Sequence, residues 1–113
     1  MKIAFVVLLI LHGTLHSMGF IKAFRIIDLA QLVQPIPKSN GLLWLVACLF
    51  FIFAAILFSI EHQSWWIFSA LAVIISQYLI IHDWNDAKLG TIANIIILLA
   101  TIIGFVVWTI AKI

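Results

Sequence analysis

His12 and His16 stand four residues apart near the middle of an apolar run long enough to cross a bilayer. On a helix that spacing sets both imidazoles on one face. Side chains of this kind at such depth could ligate a metal or haem, relay protons, or recognise the polar part of a small molecule. The plainer account is that they hydrogen-bond to neighbouring helices, because an unsatisfied polar group in hydrocarbon is costly. His12 and His16 are the metal candidates, but a metal normally needs a third donor, and no carboxylate lies at their depth. Haem would need a shaped pocket that the sequence does not encode, so no cofactor is assigned.

The elements that must position these groups follow from composition. Of the 113 residues, 66% are hydrophobic and 9% charged, against roughly 25% charged in a soluble domain. Four stretches, at 3–21, 41–60, 64–81 and 89–111, contain no lysine, arginine, aspartate or glutamate. Each is close to the roughly 20 residues that carry a helix across about 30 Å of hydrocarbon. The expected fold is all-α, a single integral membrane domain over 1–113: a four-helix transmembrane bundle with an interfacial segment between the first two helices. A spanning β-barrel would show short alternating segments, and the runs 49–57 and 92–103 do not alternate. Lys2 before an apolar run resembles a signal peptide, but the run ends in Lys22 and Arg25 rather than at a small-residue cleavage site. Cys48 is the only cysteine and falls inside the second stretch, so no internal disulfide can form.

Tryptophans support these boundaries, because amphipathic rings favour the headgroup level: Trp44, Trp65, Trp66, Trp84 and Trp108 all fall near an expected interface. The link at Glu61, His62 and Gln63 is short enough to demand a tight antiparallel hairpin. In the longer first link, Phe24, Ile27, Leu29, Leu32 and Val33 alternate with Arg25, Asp28, Gln31 and Gln34, which suits a helical extension along the interface. Pro35 and Pro37 stop it, and Ser39 or Asn40 can cap the second helix. Lys22, Arg25, Lys38 and Lys88 fall on one side and Lys2 and Lys112 on the other. That balance places both termini away from the cytoplasm, in what reads as a bacterial inner-membrane protein.

Depth then brings the polar side chains together. His16 lies about 6 Å nearer the cytoplasmic side than His12, Ser76 and Gln77 reach a similar level, and Asn94 lies roughly 3 Å closer to that surface. Gly19 and Ala23 continue the histidine stripe, and Gly13 and Ser17 form a second small pair that would admit a close neighbour. The link from His82 to Lys88 holds Asp83 and Asp86, which could hold a cation or act as acid and base; more simply, Asn85 or Asp86 caps the fourth helix.

The words Leu15-His16-Ser17-Met18-Gly19-Phe20-Ile21-Lys22-Ala23-Phe24, Gln34-Pro35-Ile36-Pro37-Lys38 and Gly41-Leu42-Leu43-Trp44 carry a resemblance, continued by Ser76-Gln77 and by the stretch from Trp84 to Asn94. Together they resemble a four-helix membrane region of an uncharacterised family of bacterial proteins, sometimes preceding a further domain. That family implies no activity, but the matching words favour His16, Lys22, Gln77, Asp86, Lys88 and Asn94 as ligand-binding residues; His12 lies outside them. A looser likeness is to small four-span DoxX-like proteins. The small multidrug-resistance transporters match in length but use a glutamate in the first helix that this chain lacks.

The expected function is binding or transport of a small amphiphilic molecule, lipid-like or quinone-like, in a polar intramembrane pocket. Lys22 and Lys88 would draw an anionic headgroup, with His16, Gln77 and Asn94 deeper. One alternative is a structural or assembly subunit whose polar groups lock helix packing. Another is a histidine-dependent metal or haem protein. An enzyme using His16 with Asp83 or Asp86 lacks a nucleophile motif or phosphate loop, and the sequence leans away from it. The partners expected are the bilayer, the amphiphile and a second copy of the chain; a net charge of +2 spread over two faces argues against nucleic acid.

Overall fold

The computed structural model describes residues 2–26 and 35–112. Within them lie four long helices, α1 (Lys2–Ala23), α2 (Lys38–Ser59), α3 (Trp65–His82) and α5 (Gly90–Lys112), with a single helical turn, α4 (Trp84–Ala87), between the last two. All four long helices are long and apolar enough to cross a membrane. The all-α four-helix bundle expected from composition is the observed fold. The interfacial segment expected after α1 rests largely on residues 27–34, outside the described residues.

The chain runs up and down with each long helix packed on the next: α1 on α2, α2 on α3, α3 on α5. The fourth contact, α1 to α5, is slight. α2 is therefore the central element, and Ala47, Phe51, Ala54 and Ala55 form the core with Leu9, Ala72, Val73 and Ile97. Alanines on α2 let its neighbours approach, and Phe51 fills the space between them. α5 is the most peripheral. Its buried residues Asn94, Ile97 and Thr101 fall on one stripe, while Ile92, Ile95, Leu99, Ile103 and Val107 point outward. A helix with one inward stripe and an apolar exterior suits a lipid-facing position.

Helix ends follow local chemistry. α1 and α2 both end in a Schellman turn. Arg25 adopts a left-handed backbone (φ 55°), its N–H bonds to the Lys22 carbonyl, and the Ile26 N–H reaches back to Ile21. Glu61 does the same (φ 59°), with its own N–H on Phe58 and that of His62 on Leu57. These turns satisfy carbonyls that would otherwise be orphaned near the membrane surface. Two capping expectations are corrected. α2 starts at Lys38 after Pro37, so Ser39 and Asn40 lie within its first turn and do not cap it. Asn85 and Asp86 lie in α4, and the fourth long helix starts later, at Gly90.

Contacts between α1 and α2 are close because α1 supplies glycines where α2 presents bulk. A methyl group added at Gly13 would lie 2.8 Å from Phe51 Cβ, and one at Gly19 would lie 2.2 Å from Trp44 Cγ. Trp44, expected as an interface anchor, is instead buried against Gly19, with its ring 5.0 Å from that of His16. Gly19→Ala should therefore lower stability by about 1–3 kcal/mol through overpacking, read as earlier unfolding in detergent; an unchanged unfolding curve would contradict the close approach.

At the opposite end of α1, the Lys2 ammonium bonds to the Glu61 carboxylate. This hydrogen bond, helped by the lysine's charge, holds the Glu61 carboxyl below its usual value. A depressed carboxyl contributes to stability above its unfolded pKa and loses that contribution as pH falls through the folded one. A carboxyl-carbon NMR titration should find Glu61 below a model carboxylate and returning toward it in Lys2→Gln; an identical midpoint in both proteins would show that the pair does not form.

Candidate functional site

The inner polar groups close into one knot linking α1, α3 and α5. His16 Nδ1–H donates to its own helix at the His12 carbonyl (2.7 Å), which leaves Nε2 of the neutral ring as an acceptor for the Ser76 hydroxyl at 2.6 Å. His12 Nε2–H donates to Asn94 Oδ1 at 2.8 Å. The Asn94 amide in turn donates to Ser76 Oγ (2.9 Å) and Gln77 Oε1 (3.0 Å), and Gln77 reaches Thr91 Oγ1 at 3.2 Å. His12, His16, Ser76 and Asn94 are all buried. A connected network of this kind is what hydrocarbon demands of polar groups inside a bundle.

The knot also explains why α5 stays attached with so little packing on α1. His12 and Asn94 bridge the two helices where they meet, beside Gly90, where an added methyl would lie 2.9 Å from Ile80 Cδ1 of α3 and in ordinary contact with the His12 ring. Farther along α5, the Ser69 hydroxyl meets Thr101 Oγ1 at 2.7 Å while Thr101 donates to its own helix at the Ile97 carbonyl.

Beside the knot lies a cavity of about 310 Å³. It sits at the end of the bundle where α1 finishes and α5 begins. His12, His16, Trp44, Asp83 and Asp86 all line it. Asp83 is fixed by its position between α3 and α4: its N–H bonds to the Leu79 carbonyl, and its own carbonyl accepts the N–H groups of Asp86 and Ala87. This geometry turns its side chain inward, leaving it 2% exposed. One carboxylate oxygen, Oδ1, accepts from His82 Nδ1 at 2.9 Å. The other, Oδ2, and the Trp44 indole Nε1 are buried without a hydrogen-bond partner among the described residues. Both residues line the cavity.

The sequence candidates divide accordingly. His16, Gln77 and Asn94 come together, but in the knot rather than around a guest, and only His16 also lines the cavity. Both nitrogens of His16 are engaged, so it presents ring carbons to the space. Asp86 lines the cavity. The lysine-lined mouth expected from sequence is not formed: Lys88 is exposed after α4, Lys22 is half-buried at the end of α1, and neither reaches the lining. Trp44 was not a sequence candidate; the signal nearest to it is Gly19, a small residue on the histidine stripe that lets a neighbouring helix approach. Asp83 is expected from sequence as a cation holder or an acid or base, with no signal that its side chain turns inward. Among the described residues, no group of three histidine, cysteine or acidic side chains is placed to hold a metal ion.

The fold and this site define a small all-α integral membrane protein with a buried polar knot and an adjoining cavity near one end of its spans. No family model, curated protein or solved structure matches the chain. Asn94→Leu should cost about 1–3 kcal/mol, because it strips a partner from His12, Ser76 and Gln77 at once. Ser69→Ala should cost nearer 0.6 kcal/mol, about the average for one interhelical hydrogen bond in a membrane protein, since Thr101 keeps its bond to Ile97. Equal losses in a detergent-unfolding series would contradict a shared network.

Proposed function

We propose that the protein binds a small amphiphilic molecule, with its polar part in the cavity beside the knot and its apolar part along the bundle. The observation that carries this reading is the pair of buried, unpartnered polar atoms, Trp44 Nε1 and Asp83 Oδ2, in two residues that line one cavity. Leaving a buried donor or acceptor unmade costs about 1–3 kcal/mol, and more for a charged group. A guest that satisfies both recovers that cost. At about 310 Å³ the space is at the lower end of small-molecule sites, roughly 300–1,000 Å³, and suits a headgroup rather than a whole lipid.

In this reading the knot is structural and the cavity is functional, so the histidines have separate tasks. His12 secures α5, and His16 builds the wall. The four-to-two balance of lysine and arginine supports an orientation with both termini away from the cytoplasm and the cavity end toward it, in the inner membrane of a bacterium. A role limited to assembly would need no cavity, and a transport role would add release to the opposite side.

Native mass spectrometry of the gently extracted full chain tests this. A defined small adduct is expected on the wild type and lost from Trp44→Phe, which keeps the ring but removes the N–H. A bare chain or bare oligomer, the same in both, would remove the binding reading and leave the assembly reading.

A further inference from the structure

We infer that the cavity selects a primary ammonium group carried next to an oxygen acceptor, the chemistry of an ethanolamine phosphate headgroup. This deepens the amphiphile-binding reading and rests on it. Three features of the walls point there. Asp83 Oδ2 is a buried acceptor that calls for an N–H or O–H donor from the guest. Trp44 Nε1–H is a buried donor that calls for an acceptor. The guest must therefore offer both in one compact group. Among the described residues, the only Asp, Glu, Lys or Arg side chains lining the cavity are Asp83 and Asp86. An anionic guest would meet like charge there, whereas a cation would complement it.

Position supports a membrane source for the group. The cavity lies between the last turn and a half of α1 at Gly19, the start of α2 at Trp44, the end of α3 at Ile80 and the start of α5 at Gly90. These positions lie at or near helix ends, close to the level at which headgroups sit, while His12 and His16 carry the cavity deeper into the span. The outward faces of α1 and α5 near the cavity are apolar, with the cavity-lining residues Leu15 and Leu89 exposed and Leu11 and Ile92 exposed within four residues of them in sequence. Acyl chains can lie against them while the headgroup enters. A choline headgroup has the positive charge but no N–H to give Asp83. A glycerol headgroup has hydroxyl donors but brings a net negative charge. Ethanolamine phosphate alone of the three supplies N–H donors, positive charge and phosphate oxygens for Trp44.

The test is lipid competition on the wild-type full chain. Purified protein is given an equimolar mixture of phosphatidylethanolamine, phosphatidylcholine and phosphatidylglycerol with identical acyl chains, and the bound lipid is read by native mass spectrometry. The expected result is a preference for phosphatidylethanolamine of roughly tenfold, the size of one hydrogen bond to a charged group. The preference should collapse in Asp83→Asn, which keeps the shape and removes the charge, and weaken in Trp44→Phe. Displacement of the lipid by free O-phosphoethanolamine would support the same group chemistry and assign its source to a soluble compound. Equal binding of all three lipids, or preference for choline or glycerol, would overturn the inference while leaving amphiphile binding intact. Absence of any lipid or phosphoethanolamine adduct would overturn both. Because the selectivity is read first on the wild type, a variant that fails to fold does not decide the outcome.

Discussion

Every polar side chain placed inside a hydrocarbon slab must find its partner within the protein, and the His12 to Asn94 hydrogen bond is where this chain meets that constraint. α1 and α5 otherwise barely touch. Through Asn94 the same bond leads to Ser76, Gln77 and His16, so one asparagine fixes the relative register of three helices. This connected set of groups adds to the apolar core, in which Leu9 of α1 and Ile97 of α5 also take part. Hydrophobic attraction between helices is weak when the surrounding lipid is equally apolar, which makes close packing on glycine and alanine and interior hydrogen bonds the remaining forces.

From that closure follows the cavity. Gly19 allows the Trp44 ring to lie on α1, and Gly90 allows the Ile80 side chain of α3 to lie close against α5. Two helices are thereby drawn in around the knot, while the link at residues 83–89 folds over the end as one helical turn. The turn points Asp83 inward and leaves a space between it and Trp44 that the protein's described groups do not fill. The rest of the structure satisfies its buried polar groups with economy, which makes these two atoms the exception that calls for a functional account.

Much of the fold was legible in the sequence because hydrocarbon imposes length and composition together. The uncharged stretches at 41–60 and 64–81 fall within three residues of the ends of α2 and α3. The depth estimate puts Gln77 near the level of His16 and Asn94 about 3 Å beyond it, and the three are found in one network, with Asn94 bonded to the deeper His12. What it lacked was rotation about each helix axis. Trp44 lies near a helix start, as an anchor would, yet its ring turns inward because Gly19 opens a space for it. Lys22 and Lys88 have the right sequence position for a cavity mouth, but their side chains do not reach the lining. Asp83 gained its inward direction from a turn at α4 that was read as a simple link. Residues 27–34, on which the interfacial segment largely rests, lie outside the described structure.

The most direct measurement is an experimental density map of the full chain in a lipid nanodisc, at a resolution that shows ordered headgroups. Amphiphile binding requires a continuous feature in the 310 Å³ cavity, within hydrogen-bond distance of both Trp44 Nε1 and Asp83 Oδ2, with an apolar tail leaving along the bundle. A cavity closed by protein, with both atoms bonded to the chain itself, or one filled only by water, would contradict it.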